Sequence, residues 1–271
     1  MQYRLIVADM DGTLLNSRKE ISPKTRDAIN EYRKAGGLFT VATGRGLSTV
    51  ENIAREILID IPVILYNGAQ VYDFINKKAI YEELLDKKAY KTALNILHEL
   101  HITFLAYQGP HMWVEELSDT IVKHLQKETI DIKNVSVASI SDFPDHGIHK
   151  ILTITDQNRF SEFQKLFSRT EIDSVRFVQS EINYFEILPE DVSKGHALKE
   201  LAAHLDIPLS QIAAIGDHMN DIEMISVAGL GVAVANAHEE LKKHARFITR
   251  SNDDDGVAYL IEMLLKDRIS S

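Results

Sequence analysis

The stretch Leu5-Ile6-Val7-Ala8-Asp9-Met10-Asp11-Gly12-Thr13-Leu14-Leu15 decides how the chain is read. Leu5 to Ala8 is a short continuous apolar run, which suits a strand covered on both faces in a parallel sheet, and it stops at two carboxylates and a glycine. Ligands of such sheets gather at the carboxyl ends of the strands. Two acids one residue apart converge on one ligand atom if the chain turns, and Gly12 permits the turn. The arrangement suggests a nucleophile, a general acid and a metal site. The plainer reading is an Asp–Gly turn, which makes no demand on the rest of the chain.

Working outward, a second apolar run, Leu38 to Ala42, ends at Thr43-Gly44-Arg45-Gly46. Between the two runs, Ser22-Pro23 opens a helix that carries Ala28, Tyr32 and Ala35 on one face and ends at Gly36-Gly37. Ser48 with Glu51 makes a capping-box pattern ahead of the next helix. Free backbone N–H groups near a helix start suit a phosphate, so Thr43 and Gly44 become candidate phosphate contacts; an ordinary turn capped by Thr43 is the alternative. Val63 to Tyr66 reads as a third core strand, and a hairpin follows around Asn76-Lys77-Lys78.

From about Leu85 to Phe185 the rhythm changes to helix–strand–strand passages, an α+β insertion over a sheet of its own. The parallel rhythm resumes after Pro189. Ser193-Lys194-Gly195 opens a helix, and the buried strand Ile212 to Ile215 ends in Gly216-Asp217-His218-Met219-Asn220-Asp221. Leu230 to Ala233 reads as a strand, Asn236 and Glu239 as a capping-box-like helix start, and Phe247-Ile248 as a last short strand. Residues 1–84 and 188–271 are therefore expected to form an α/β core with a doubly wound, mainly parallel sheet, and residues 85–187 an inserted cap.

Composition narrows the function. The chain has 271 residues, 45% of them hydrophobic and 26% charged, and no run is long and apolar enough to span a bilayer. There is no cysteine, which excludes disulfides, thiolate nucleophiles and Cys-ligated metals. A formal net charge of −10 argues against nonspecific nucleic-acid binding. Without a signal-peptide pattern, the cytoplasm is the expected compartment. Oligomeric state is left open. His98 with His101, and His146 with His149, have helical spacing but no evident third metal ligand. Trp113, Tyr107 and Tyr184 either line a substrate cleft or fill a core.

Asp-x-Asp-Gly-Thr-Leu-Leu, Thr-Gly-Arg, Ser-Lys-Gly and Gly-Asp-x-x-Asn-Asp, in that order, resemble the four motifs of the haloacid dehalogenase-like superfamily, and its Cof-type (IIB) sugar-phosphatase branch in particular. The closing Asn252-Asp253-Asp254-Asp255-Gly256 is also similar to that branch, whereas Val234-Ala235-Asn236-Ala237 lacks its usual glycine. The resemblance implies a Rossmann-like core with an inserted cap, and a phosphatase acting on small phosphorylated metabolites. It implies Asp9 as nucleophile, Asp11 as general acid and base, and Mg²⁺ held by Asp9, the Asp11 carbonyl and Asp217, supported by Asp221. It also implies that Thr43, the Gly44 and Met10 amides, Lys194 and Asn220 hold the phosphoryl oxygens. A phosphomutase and a non-catalytic phosphometabolite sensor are the alternatives.

Overall fold

The computed structural model describes residues 2–267. They divide into two compact units, one comprising residues 2–44, 54–81 and 193–267, the other residues 45–53 and 82–192.

The first unit is built on five parallel strands. β1 (Leu5–Ala8) pairs on one side with β2 (Leu38–Val41) and on the other with β12 (Ile212–Gly216); β13 (Leu230–Ala233) and β14 (Phe247–Ile248) continue the sheet. All four residues of β1 are buried, as a continuous apolar run predicts for a strand covered on both faces. The register sets Ala8 beside both Val41 and Ile215, so β1 and β2 end level and β12 runs one residue further. After β1 the chain builds β2 on one side, and it returns much later to add β12 on the other. Strand order thus reverses at β1, and a crevice opens beyond the carboxyl ends of β1, β2 and β12.

Helix α1 (Pro23–Lys34) starts as its sequence dictates, with Pro23 in the first turn and Ser22 Oγ accepting from the Thr25 amide. Its buried stripe is Thr25, Ile29 and Tyr32, which corrects the expected Ala28–Tyr32–Ala35 face: Ala35 is exposed at the helix end. Helix α2 (Leu47–Glu56) also departs from expectation. It begins one residue before Ser48, so Ser48 and Glu51 lie within the helix and cannot form a box at its start.

β3 (Val63–Leu65) ends one residue short of the expected strand, and it pairs antiparallel with β4 (Gln70–Asp73), beyond which lies β5 (Lys78–Glu82). A single parallel bridge between Ala42 and Ile64 links this three-stranded sheet to the end of β2. At Tyr66-Asn67-Gly68 the chain makes a tight turn in which three consecutive residues have positive φ, +51°, +56° and +104°.

The second unit contains α3 (Lys87–Glu99), β6 (Thr103–Gln108), β7 (His111–Val114), α4 (Asp119–Lys127), β8 (Val135–Val137), β9 (Lys150–Ile154), α5 (Gln157–Ser168), β10 (Val175–Glu181) and β11 (Tyr184–Pro189). Its sheet runs β10-β11-β9-β6-β7-β8. Phe104, Ala106, Ile151, Phe185 and Ile187 alternate along their strands onto one face and pack with Tyr90, Leu94 and Leu97 of α3 and Phe160, Phe163 and Phe167 of α5. Trp113 packs against this cluster and donates from Nε1 to Gln108 Oε1, which gives it a core role. The intervening positions place Tyr107, Lys150 and Glu186 on the other face, where Lys150 Nζ lies 2.9 Å from Glu186 Oε2 with both side chains buried.

The first unit is completed by α6 (Lys194–His204), α7 (Ile222–Val227), α8 (Glu239–His244) and α9 (Gly256–Leu265). The capping pattern expected at Asn236 is not formed: His238 caps α8. Asn236 instead donates from Nδ2 to the Gly12 carbonyl at 2.8 Å and accepts from the Asn252 amide at 2.9 Å, tying two loops together.

Candidate active site

Three strand ends deliver the chemistry. Asp9 follows β1, Thr43 lies two residues beyond β2, and Asp217 follows β12. Each is placed by a backbone already fixed in the sheet: the Asp9 amide donates to the Ile215 carbonyl at 2.9 Å, and the Thr43 amide to the Ile64 carbonyl at 2.9 Å. Gly12 turns the first loop with φ +80°, and a Cβ there would lie 2.4 Å from Asp217 Oδ2, so the backbone crosses the Asp217 carboxylate at a distance that excludes any side chain.

At the centre is Lys194. Ser193 Oγ caps α6 by accepting from the His196 amide, which sets Lys194 in the first helical position. Its Nζ donates to Asp9 Oδ1 at 2.5 Å and to Asp221 Oδ1 at 2.6 Å, and all three side chains are buried. The two carboxylates hold the ammonium in its charged form against the cost of burial. Burial pushes the Asp9 carboxyl upward; Lys194 opposes this, while Asp221 and Asp217 add to it. Burial likewise raises Asp217 to about 6, with Asp221 contributing and Lys194 opposing.

Asp221 also organises its own loop. Its Oδ2 accepts from the amides of Asp217 and His218 at 3.0 and 3.1 Å, closing the turn that presents Asp217. Capping and site chemistry therefore coexist in one side chain. Thr13, to which the sequence pointed only as part of a motif, donates from Oγ1 to Asp217 Oδ1 at 3.1 Å. Asn220 lies in the same loop and donates from Nδ2 to Asn67 Oδ1 at 2.9 Å. Asp11 stands nearer solvent, with Lys19 Nζ 2.6 Å from its Oδ1.

Among the described residues, Asp9, Asp217 and Asp221 form the metal-competent group: one carboxylate oxygen from each lies within 4.8 Å of the others. One ammonium against two buried carboxylates and the half-buried one of Asp217 leaves excess negative charge, and an all-oxygen donor set fits a hard divalent cation such as Mg²⁺. The histidine pairs go elsewhere. His98 Nδ1 meets Glu115 Oε1 at 2.7 Å, and buried His149 bonds the Gly109 amide and Glu82.

Comparison with known proteins agrees with this arrangement. The model of the haloacid dehalogenase-like hydrolases, Hydrolase_3, matches residues 6–261. The chain belongs to the haloacid dehalogenase-like hydrolases. It falls in their Cof-type branch and is a phosphoric monoester hydrolase. The 5-amino-6-(5-phospho-D-ribitylamino)uracil phosphatase YwtE of Bacillus subtilis is 31% identical, over 97% of this chain and 98% of its own. A haloacid dehalogenase-like hydrolase from Bacteroides thetaiotaomicron has a similar structure, with a TM-score of 0.87 and 28% identity, covering 97% of this chain and 99% of that one. A subclass IIB sugar phosphatase shares the fold at a TM-score of 0.85 and 19% identity, over 98% of this chain and 100% of that one.

No described helix of this hydrolase is long and apolar enough to cross a membrane. Of the residues expected in its site, Asp9, Lys194, Asp217 and Asp221 converge directly. Asn220 adjoins them through its loop, Met10 is buried beside Asp9, and Thr43 and Gly44 occupy the loop after β2. Asn67 is the residue that motif reading left without a role.

Proposed function

We propose that this hydrolase is a Mg²⁺-dependent phosphatase of small phosphorylated metabolites and works through an aspartyl-phosphate on Asp9. The observation that carries the reading is the convergence of Asp9, Asp217, Asp221 and Lys194 around one buried point at the strand ends.

An Asp9 carboxylate oxygen attacks phosphorus, and the bond from phosphorus to the ester oxygen breaks. Asp11 gives its proton to the departing oxygen. A water then attacks the aspartyl-phosphate, Asp11 takes that water's proton, and the bond to Asp9 breaks to release inorganic phosphate. Lys194, Asn220, Thr43 and the amides of Met10 and Gly44 hold the phosphoryl oxygens as charge shifts among them. Lys194 also opposes the rise that burial imposes on the Asp9 carboxyl, which favours its nucleophilic form. Asp9, the Asp11 carbonyl and Asp217 would hold Mg²⁺, with Asp221 supporting them. When bound, the ion supplies the positive charge that three carboxylates and a phosphate require.

The insertion, residues 85–187, is proposed to select the metabolite. Sugar phosphates and sugar-alcohol phosphates are the favoured class, because YwtE is named for a phosphoribityl compound. The test is phosphate release from sugar phosphates, 5-amino-6-(5-phospho-D-ribitylamino)uracil, nucleotides, pyridoxal phosphate and p-nitrophenyl phosphate, each with Mg²⁺ and with EDTA. Metal-dependent release, abolished in Asp9→Asn, is expected. Folded, Mg²⁺-loaded protein that isomerises a sugar phosphate without releasing phosphate is a mutase; one that binds without turnover is a sensor.

A further inference from the structure

The turn Tyr66-Asn67-Gly68 is strained and buried, and it touches the loop after β2, the loop after β12 and the start of α6. Two consecutive non-glycine residues in the left-handed region are uncommon, and a bulky tyrosine there is an outlier that persists only where surrounding structure over-determines it. The surroundings are specific. The Asn67 amide donates to the Thr43 carbonyl at 3.0 Å. The Asn67 side chain lies against Gly44, where an added Cβ would sit 3.0 Å from Nδ2. Its Oδ1 accepts from Asn220 at 2.9 Å. The Gly68 Cα packs on the Ser193 carbonyl so closely that a Cβ would lie 2.2 Å from that oxygen, and Ser193 is the cap that sets Lys194.

One turn therefore braces the loop carrying Thr43 and Gly44, the loop carrying Asn220 and the helix start carrying Lys194. Asparagine suits its centre because it tolerates left-handed backbone and carries an amide oxygen able to accept. Asn220 Nδ2 bears two hydrogens. With one committed to Asn67, the side chain is held in a single orientation and the second can be directed at an oxyanion.

We propose that Asn67 is a positioning residue for phosphoryl transfer: it fixes the Asn220 amide, and through the turn the Thr43–Gly44 loop, in the arrangement that holds a phosphoryl group. This rests on the phosphatase reading above for its substrate. Loss of such an orienting partner commonly costs 10- to 100-fold in function.

The experiment is a double-mutant cycle of Asn67→Gly and Asn220→Ala, with p-nitrophenyl phosphate and Mg²⁺. Glycine keeps the left-handed backbone, so Asn67→Gly is expected to melt within a few degrees of the parent. Its kcat/KM is expected to fall about 10- to 50-fold. The double variant is expected to lie within about threefold of Asn220→Ala alone, because Asn67 acts through Asn220. A loss under twofold in Asn67→Gly, or losses that multiply in the double variant, would overturn the proposal. If Asn67→Gly melts far below the parent, Asn67→Asp is read instead. Aspartate keeps the left-handed tolerance and the acceptor but adds charge beside the anion, so KM should rise at least tenfold with kcat within about threefold of the parent. A collapse of kcat at unchanged KM would overturn it equally. The parent protein is assayed first. If it turns over no phosphoester, the phosphatase reading has failed on its own, and the cycle is scored on orthovanadate affinity of the Mg²⁺-loaded protein: non-additive losses sustain the positioning role, and unchanged affinity in Asn67→Gly removes it.

Discussion

His124 on α4 is buried, with Nε2 3.0 Å from the Tyr107 hydroxyl, and among the described residues its Nδ1 finds no hydrogen-bond partner. Burial, reinforced by Lys150 and Lys127, lowers its pKa to about 3, from 6.5 for an ordinary histidine. The sign follows directly. Between pH 6.5 and 3 the unfolded chain binds a proton at this residue and the folded chain does not, so stability is greatest above 6.5 and falls as the pH drops. The slope approaches ~1.4 kcal/mol per pH unit within that window. His124→Gln keeps a polar end facing Tyr107 and does not titrate. Urea unfolding at pH 7.5, 6 and 5 should show the parent losing stability more steeply than the variant as the medium is acidified. A parent-minus-variant difference that stays flat would mean that His124 protonates normally in the folded protein.

Among the elements, the Tyr66–Gly68 turn carries the sharpest structural demand. Gly68→Ala would place a methyl group 2.2 Å from the Ser193 carbonyl in a backbone of φ +104°, so the turn and the α6 start must part. We expect a loss of ~2–4 kcal/mol in denaturant unfolding, together with lower kcat/KM well below the melting temperature because Lys194 moves with Ser193. A loss under ~1 kcal/mol would show that the two segments separate freely. This turn also marks where sequence reading stops. The strand ends at Asp9 and Asp217 were legible because a buried apolar run breaking into acids is a local pattern, and the α1 start because Ser22-Pro23 is local capping chemistry. The left-handed Tyr66 has no local signal; contacts with Thr43, Ser193 and Asn220, distant in sequence, impose it. Asn236 was misread for the same reason: its hydrogen bonds to Gly12 and Asn252 outweighed a local capping pattern. Helix α9, rich in apolar residues after the Asp253–Asp255 run, was not assigned from sequence at all.

Across the whole molecule, charge is compensated unevenly. The acidic residues number 40 against 30 Lys and Arg, and among the described residues pairs such as Arg18–Glu20, Lys34–Glu31 and Lys243–Glu240 lie at exposed positions where they contribute little. Negative charge is instead brought close together at buried Asp9 and Asp221 and half-buried Asp217 in the first unit, where Lys194 is bonded to two of the three, while the second unit has a core of its own made by α3, α5 and one sheet face. An ion bound by those carboxylates favours only states in which β1 and β12 are paired and their loops converge. At 100 times its dissociation constant it stabilises such states by ~2.7 kcal/mol. Hydrogen exchange with and without Mg²⁺ should therefore show slower exchange in β1, β12 and the first turn of α6, with β9, β10 and β11 unchanged under conditions that report local opening. Asp217→Asn should abolish the difference by removing a carboxylate and part of the charge that attracts the ion. Slowing spread equally over both sheets would mean that the two units open as one cooperative block; no slowing in the parent protein would remove Mg²⁺ from this site.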